Sequence, residues 1–407
     1  MVQITATTTT TAARMGGWAG PARAAIALCV AGGLTLVVRD GVATALGQDD
    51  PARAAALAPS DARIALQAAR ARIDAGVAPG DPAVRRLVDR VLARDVTLPA
   101  AVELRALRAE AEGDKTRAAT LFSLSDRISR RSLGTRVWLI QKAVDTGDVA
   151  GALRDFDIAL RTSAAAPPIM FPVLTNAASD PALVGPIARL LDRPSDWRAM
   201  FLHYAVVERH APSGVADLVL SIRDRSWVKR EGVDRSLVEE LAAHGAFVEA
   251  RRVHDAFNPA AKGWVADPDF SRPGQTYPFG WRLVETGEIG ATRGVVAGRS
   301  VLAYQALSGA GGPVATQVLT LPKGAYRLAV RAAATDAAAS PYWTLTCAEA
   351  RGPQLLQLDQ PREAGATGAT DFTVPEGCLG QQLALHLRGA DAPSQSGAVA
   401  SVSVSGR

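Results

Sequence analysis

Five histidines, 40 acidic residues and three cysteines are the side chains of this 407-residue chain best suited to chemistry. Four of the histidines, His203, His210, His244 and His254, fall in one stretch. No two of them are four residues apart, and none belongs to an H-E-x-x-H pattern, so no zinc pair on one helix face is expected. Glu110, Glu112, Glu239 and Glu240 lie in charged, helix-like surroundings that read as solvated faces. No G-x-S-x-G, Walker-type loop or dinucleotide fingerprint occurs. The glycine-rich "GAGGP", Gly309 to Pro313, precedes a strand-like segment and reads as a turn, not a phosphate cradle. The sequence therefore predicts no catalytic residue, no metal site and no cofactor.

Cys29 sits in an apolar run and reads as a small hydrophobe. Cys347 and Cys378 form no C-x-x-C pair, so a zinc site would need two more ligands from unpaired positions. They are either two buried thiols or one disulfide, according to compartment. The aromatic residues Trp264, Tyr277, Phe279, Trp281, Tyr342 and Trp343 cluster late in a chain that is only 5% aromatic. Aromatic rings stack on pyranose faces, which makes Trp281, Tyr342 and Trp343 candidate glycan contacts. The competing reading places Trp281 and Trp343 in a core. Adjacent on a strand, Tyr342 and Trp343 must face opposite ways, so one of them is exposed.

Two regions must position these groups. From residue 49 to 262 the chain is rich in Ala, Leu and Arg, with apolar residues recurring at three and four, which predicts helices. From 264 to 407 short segments such as "YWTLTC" and "QQLALHLRG" alternate with Gly/Pro/Ser turns, which predicts an all-β sandwich or jelly roll. Leu383, Leu385 and Leu387 alternate with Ala384, His386 and Arg388, the period of a half-buried strand.

The helical region repeats. Gly113-Asp114 lies 34 residues before Gly147-Asp148, and Ala118 and Phe122 in the first unit match Ala152 and Phe156 in the second. A third unit places Gly245 at its turn and Ala250 at the small position. Glycine supplies the left-handed backbone at the turn, aspartate caps the next helix, alanine permits close approach, and phenylalanine fills the gap between hairpins. Over roughly residues 50–262 the chain resembles tetratricopeptide-repeat proteins, which implies an α-solenoid of helical hairpins that binds a protein partner.

The N-terminus differs again. A Thr/Ala tail (residues 1–20) leads into the uncharged fifteen-residue run Ala24 to Val38, preceded by Arg14 and Arg23. Residues 21–46 are expected to be a single-pass membrane helix; the alternative is a signal segment cleaved after Ala45. In both cases the preceding arginines keep the N-terminus cytoplasmic and place the remaining chain in the periplasm. Export favours the Cys347–Cys378 disulfide. The net charge of +5 is small, only five of the 45 basic residues are lysines, and acidic residues are interspersed with them. Nucleic-acid binding is therefore not expected.

The segment Gln317, Leu319, Leu321, Pro322, Gly324, Tyr326, Leu328 resembles a hairpin of carbohydrate-binding-module-like jelly rolls, over about residues 264–407. With the anchor and the stretch Ser129 to Ser163, the whole layout resembles membrane-anchored tetratricopeptide-like proteins of the alphaproteobacterial exopolysaccharide-associated type. That resemblance implies a non-enzymatic, periplasm-facing inner-membrane scaffold for exopolysaccharide assembly or export. The alternative is a glycan-binding module on a helical spacer.

Overall fold

The computed structural model describes residues 39, 41–47, 49–211, 213–259, 263–272, 277–335, 341–349, 352–389 and 392–407. The tail 1–20 and most of the expected anchor 21–46 lie outside these residues. Among the described residues no helix is long and apolar enough to cross a membrane. The last turn of the expected anchor is described, and Ala43 is buried with Ala54, Ala58 and Ile64, with Leu46 packed beside them. That turn belongs to the helical packing.

Two compact units divide at Ser163/Ala164. The first contains α1 (Pro51–Leu57), α2 (Ala62–Asp74), α3 (Pro82–Leu92), α4 (Pro99–Ala111), α5 (Lys115–Ile128), α6 (Leu133–Asp145) and α7 (Val149–Thr162). They pair as helical hairpins, α2 with α3, α4 with α5 and α6 with α7. The turns are built as their residue types require. Gly113 and Gly147 have φ of +81° and +71°. In each the following aspartate N–H reaches back to the helix before, Asp114 to Ala109 O (2.9 Å) and Asp148 to Ala143 O (2.8 Å). The aspartate side chains then cap the next helix, accepting from Arg117 N (3.0 Å) and Gly151 N (2.8 Å). Ala118, Phe122, Ala152 and Phe156 are buried. Phe122 stacks on Trp138 of the next hairpin, ring centroids 4.4 Å apart.

Polar groups also run through this packing. Ser125 Oγ lies 2.9 Å from Thr135 Oγ1 and donates to Pro99 O (3.1 Å). Buried Arg136 pairs with Asp126 of α5 and Asp155 of α7. Buried Glu103 accepts from Ser132 Oγ and faces Arg70 at 3.5 Å.

The second unit opens with α8 (Pro167–Ala177), α9 (Pro181–Leu191), α10 (Trp197–His203) continued by a π-helical turn (Tyr204–Glu208), α11 (Val215–Ser221), α12 (Ser226–Arg230), α13 (Val233–Ala243) and α14 (Phe247–Phe257). Proline occupies the first turn of α8 and of α9, where its missing N–H is harmless, and Pro172 and Pro186 lie inside those helices. The turn between α13 and α14 repeats the geometry seen above, with Gly245 at φ +78°, Ala246 N bonded to Leu241 O (2.8 Å) and Ala250 fully buried.

Among the described residues ten strands follow: β1 (Arg282–Leu283), β2 (Ile289–Val296), β3 (Arg299–Ala306), β4 (Gly312–Leu319), β5 (Gly324–Thr335), β6 (Tyr342–Cys347), β7 (Gln354–Asp359), β8 (Thr367–Val374), β9 (Gln381–Leu387) and β10 (Gln395–Gly406). They form two five-stranded antiparallel sheets, in orders β1-β4-β9-β6-β7 and β2-β3-β10-β5-β8. The wiring of β3 to β10 across the two sheets is that of a jelly roll. Leu383, Leu385 and Leu387 point into its core with Trp281, Trp343, Leu328 and Val399.

Two sequence readings change. The Gln317-to-Leu328 segment is not a hairpin, because β4 and β5 belong to different sheets and the Pro322–Gly324 turn carries the chain between them. The last helix is α14 and the first strand begins at Arg282, while the compact units divide at Ser163/Ala164, so α8–α14 are grouped with the strands.

Candidate functional site

The jelly-roll core consumes two of the three proposed glycan contacts. Trp343 is fully buried and its Nε1 donates to Gln360 Oε1 (2.8 Å). Trp281 packs against it edge-on at 6.0 Å and donates to Asp267 O (3.2 Å). Their ring faces are taken up by the core, and neither has a free face for a sugar. Tyr342 faces the other way, on the outer surface of the β1-β4-β9-β6-β7 sheet. There its half-buried ring stacks on His386 at 5.1 Å, with the Arg388 guanidinium 5.0 Å from its centre. Arg388 is held by Asp359, and the His386 Nε2 lies 3.0 Å from Thr344 Oγ1. Burial lowers the His386 pKa below its usual value.

A different aromatic residue lines the larger opening. Trp264, in the connection after α14, is 37% exposed at the wall of a groove of about 790 Å³. One wall is α14, through Val248, Arg251, Arg252 and Asp255; the other is the Thr320–Lys323 turn and the Pro375–Leu379 loop. Trp264 meets Tyr326 edge-on at 6.3 Å, so its ring faces are not stacked on Tyr326. Tyr326 is fixed in turn by stacking on Phe372 and by donating its hydroxyl to Pro322 O (2.9 Å). Arg251 holds Asp255 through both carboxylate oxygens (2.8 and 2.9 Å) and donates to Gly263 O (3.3 Å), the residue before Trp264.

The two loops of the second wall are tied to each other. Fully buried Gln381 accepts from Leu321 N (2.8 Å) and donates to Cys378 O (2.7 Å). Cys378 is disulfide-bonded to Cys347, Cα atoms 5.5 Å apart, the second of the two states the sequence left open. Just beyond the loop, the chain at Gly380 passes so close to Phe247 of α14 that a Cβ there would come within 2.5 Å of its ring. Lys323 and Glu376 pair at 2.8 Å within this second wall, joining its turn to its loop. The groove thus offers a partly exposed indole, apolar side chains at Val248 and Leu379, and charged groups around them, all on a cross-linked frame.

Gln317 and Tyr326 act as the sequence resemblance implies, as framework. The Gln317 amide exchanges hydrogen bonds with Ala266 N and O (2.9 and 3.0 Å), two residues from Trp264. Trp264 belongs to the late aromatic cluster seen in the sequence, but it was not among the three residues singled out there as glycan contacts.

Potential metal-binding groups gather in two places among the described residues. Cys347, Glu349 and Cys378 form one, but its sulfurs are spent in the disulfide. His210, Glu240 and His244 form the other.

No protein-family model and no curated protein matches the chain. The C-terminal sandwich resembles carbohydrate-binding modules among solved structures. The chain is similar to TmCBM61 in complex with β-1,4-galactotriose at 10% identity, over 36% of this chain and 99% of that one, with TM-score 0.27. It is similar to a CBM4 structure at 18% identity, over 35% and 99%, with TM-score 0.29. The enzymatically active domain of tailspike protein 4 of bacteriophage CBA120 is similar at 13% identity, over 31% and 19%, with TM-score 0.25. These likenesses are of fold alone.

Proposed function

We propose that this protein is a non-enzymatic glycan-binding module carried on helical hairpins. The observation that carries the reading is the exposed indole of Trp264 in a rigid groove whose rim presents guanidinium, ammonium and carboxylate groups. A sugar offers an apolar C–H face and flanking hydroxyls, and this groove is complementary to both. The carboxylates Asp255 and Glu376 are each committed to a cation, Arg251 and Lys323. That pairing favours binding over acid–base cleavage.

The test is a panel of soluble bacterial and plant polysaccharides run against the full chain by affinity electrophoresis, with product analysis for cleavage. Trp264→Ala should weaken binding by at least roughly thirtyfold, since buried aromatic anchors typically contribute about 2 kcal/mol or more. Tyr342→Ala serves as the competing-surface control. Unchanged retention of Trp264→Ala would overturn the assignment to this groove.

A second reading, a scaffold of tetratricopeptide type for exopolysaccharide assembly or export, is favoured by a separate observation. Leu124 and Ile128 on α5, and Val137 and Val144 on α6, are exposed at helical spacing. Such a surface suits a protein partner. Val137→Glu with Val144→Glu would then remove a co-purifying protein while leaving glycan retention intact. The disulfide supports an exported location; of the expected anchor 21–46, the part left for attachment to the inner membrane is the one ahead of residue 41, since Ala43 and Leu46 pack with the helices.

A further inference from the structure

The histidines that share no helix face in the sequence do meet in space. We propose that His210, Glu240 and His244 form a surface site for a divalent transition-metal ion of the zinc type, with one coordination position left open. Glu240 and His244 lie one turn apart on α13 and at its C-terminal end. His210 arrives from the segment after the π-helical turn, where His210 and Ala211 both adopt left-handed backbone, φ +55° and +45°. Its Nδ1 lies 2.7 Å from Glu240 Oε1, while His244 Nδ1 lies 3.5 Å from the same oxygen. The two imidazole rings are 5.3 Å apart, centre to centre.

One ligand atom from each of the three residues falls within 4.8 Å of the others. A tetrahedral ion with bonds of about 2.0–2.1 Å holds its ligands about 3.3 Å apart. Closing that difference takes small side-chain rotations, and both histidines are more than half exposed and free to make them. His244 would exchange its contact with Glu240 O (3.0 Å) for the metal. Two imidazoles and one carboxylate match the preference of zinc and its neighbours in the first transition row, and suit calcium or magnesium poorly. Three protein ligands leave the fourth position to water or to a donor from another molecule.

The experiment is calorimetric titration of the chelator-treated full chain with ZnCl2, with MgCl2 as the control. One saturable zinc site per chain is expected. His210→Ala, Glu240→Gln and His244→Ala should each weaken it by at least about 10–100-fold, the range that loss of mere supporting contacts around a metal already produces. All three positions are surface residues, and circular dichroism checks that each variant remains folded. Absence of saturable zinc binding, or zinc affinity unchanged in all three folded variants, would overturn the proposal. Equal binding of magnesium would do so too.

Discussion

Arg136 has 2% of its side chain exposed and lies between two carboxylates, Asp155 of α7 at 9% and Asp126 of α5 at 31%. It also donates through Nε to Arg130 O (3.2 Å). Replacing it with methionine preserves much of the volume and strands Asp155 as an uncompensated buried charge. Removing one partner of such a pair costs about 3–5 kcal/mol. Asp126 is partly exposed although its Oδ1 is buried against Arg136, so its lost contact adds a smaller cost. Nearly the whole effect should therefore pass through Asp155. Since 1.36 kcal/mol corresponds to about a factor of ten, amides of α6 and α7 should exchange about 10²–10⁴-fold faster in Arg136→Met, read by hydrogen exchange with peptide resolution. Adding Asp155→Leu removes the stranded charge and should recover most of the loss, because a buried pair replaced by apolar residues is often neutral. An increase below tenfold for Arg136→Met, or a double variant as open as the single one, would refute the reasoning.

Two further outcomes concern the same physics elsewhere. Cys347→Ala with Cys378→Ala opens a loop of sequence separation 31, and the chain-entropy relation assigns this roughly 3–4 kcal/mol, measured by denaturation of the sandwich strands; a loss below about 1 kcal/mol would contradict it. Glu103 is held above its ordinary value of 4.5, chiefly by burial and partly offset by Arg70 and the Thr135 N–H. The folded protein thus binds this proton more tightly than the unfolded chain. Its contribution is fully present below 4.5 and is lost as pH rises through the folded value. Glu103→Gln should accordingly be more stable than the parent at neutral pH, with the gain vanishing near pH 4; a difference constant across that range would exclude the explanation.

Much of the architecture was legible in short range. The Gly-Asp turns read correctly because a left-handed glycine and an Asx cap are properties of three or four consecutive residues. The Leu383–Leu385–Leu387 face read correctly because strand alternation is also local. The Gln317-to-Leu328 segment was visible as two strand-like runs around the turn at Pro322 and Gly324. That turn's neighbours were misassigned, because which sheet a strand joins depends on partners such as β9, over sixty residues further along the chain.

The sequence by itself determined the two grammars, the turn chemistry, the packing stripe and the face on which each strand residue lies. These follow from periods of 3.6 and 2 and from the backbone preferences of glycine, proline and aspartate. Tertiary structure alone decided which aromatic ring stays exposed, that Gln381 ties the two loops of the groove, and that His210 reaches Glu240 across thirty residues. It also decided that the compact units part at Ser163/Ala164. The physical reason is common to all four: they depend on distances between segments remote in the chain, and local periodicity carries no information about those.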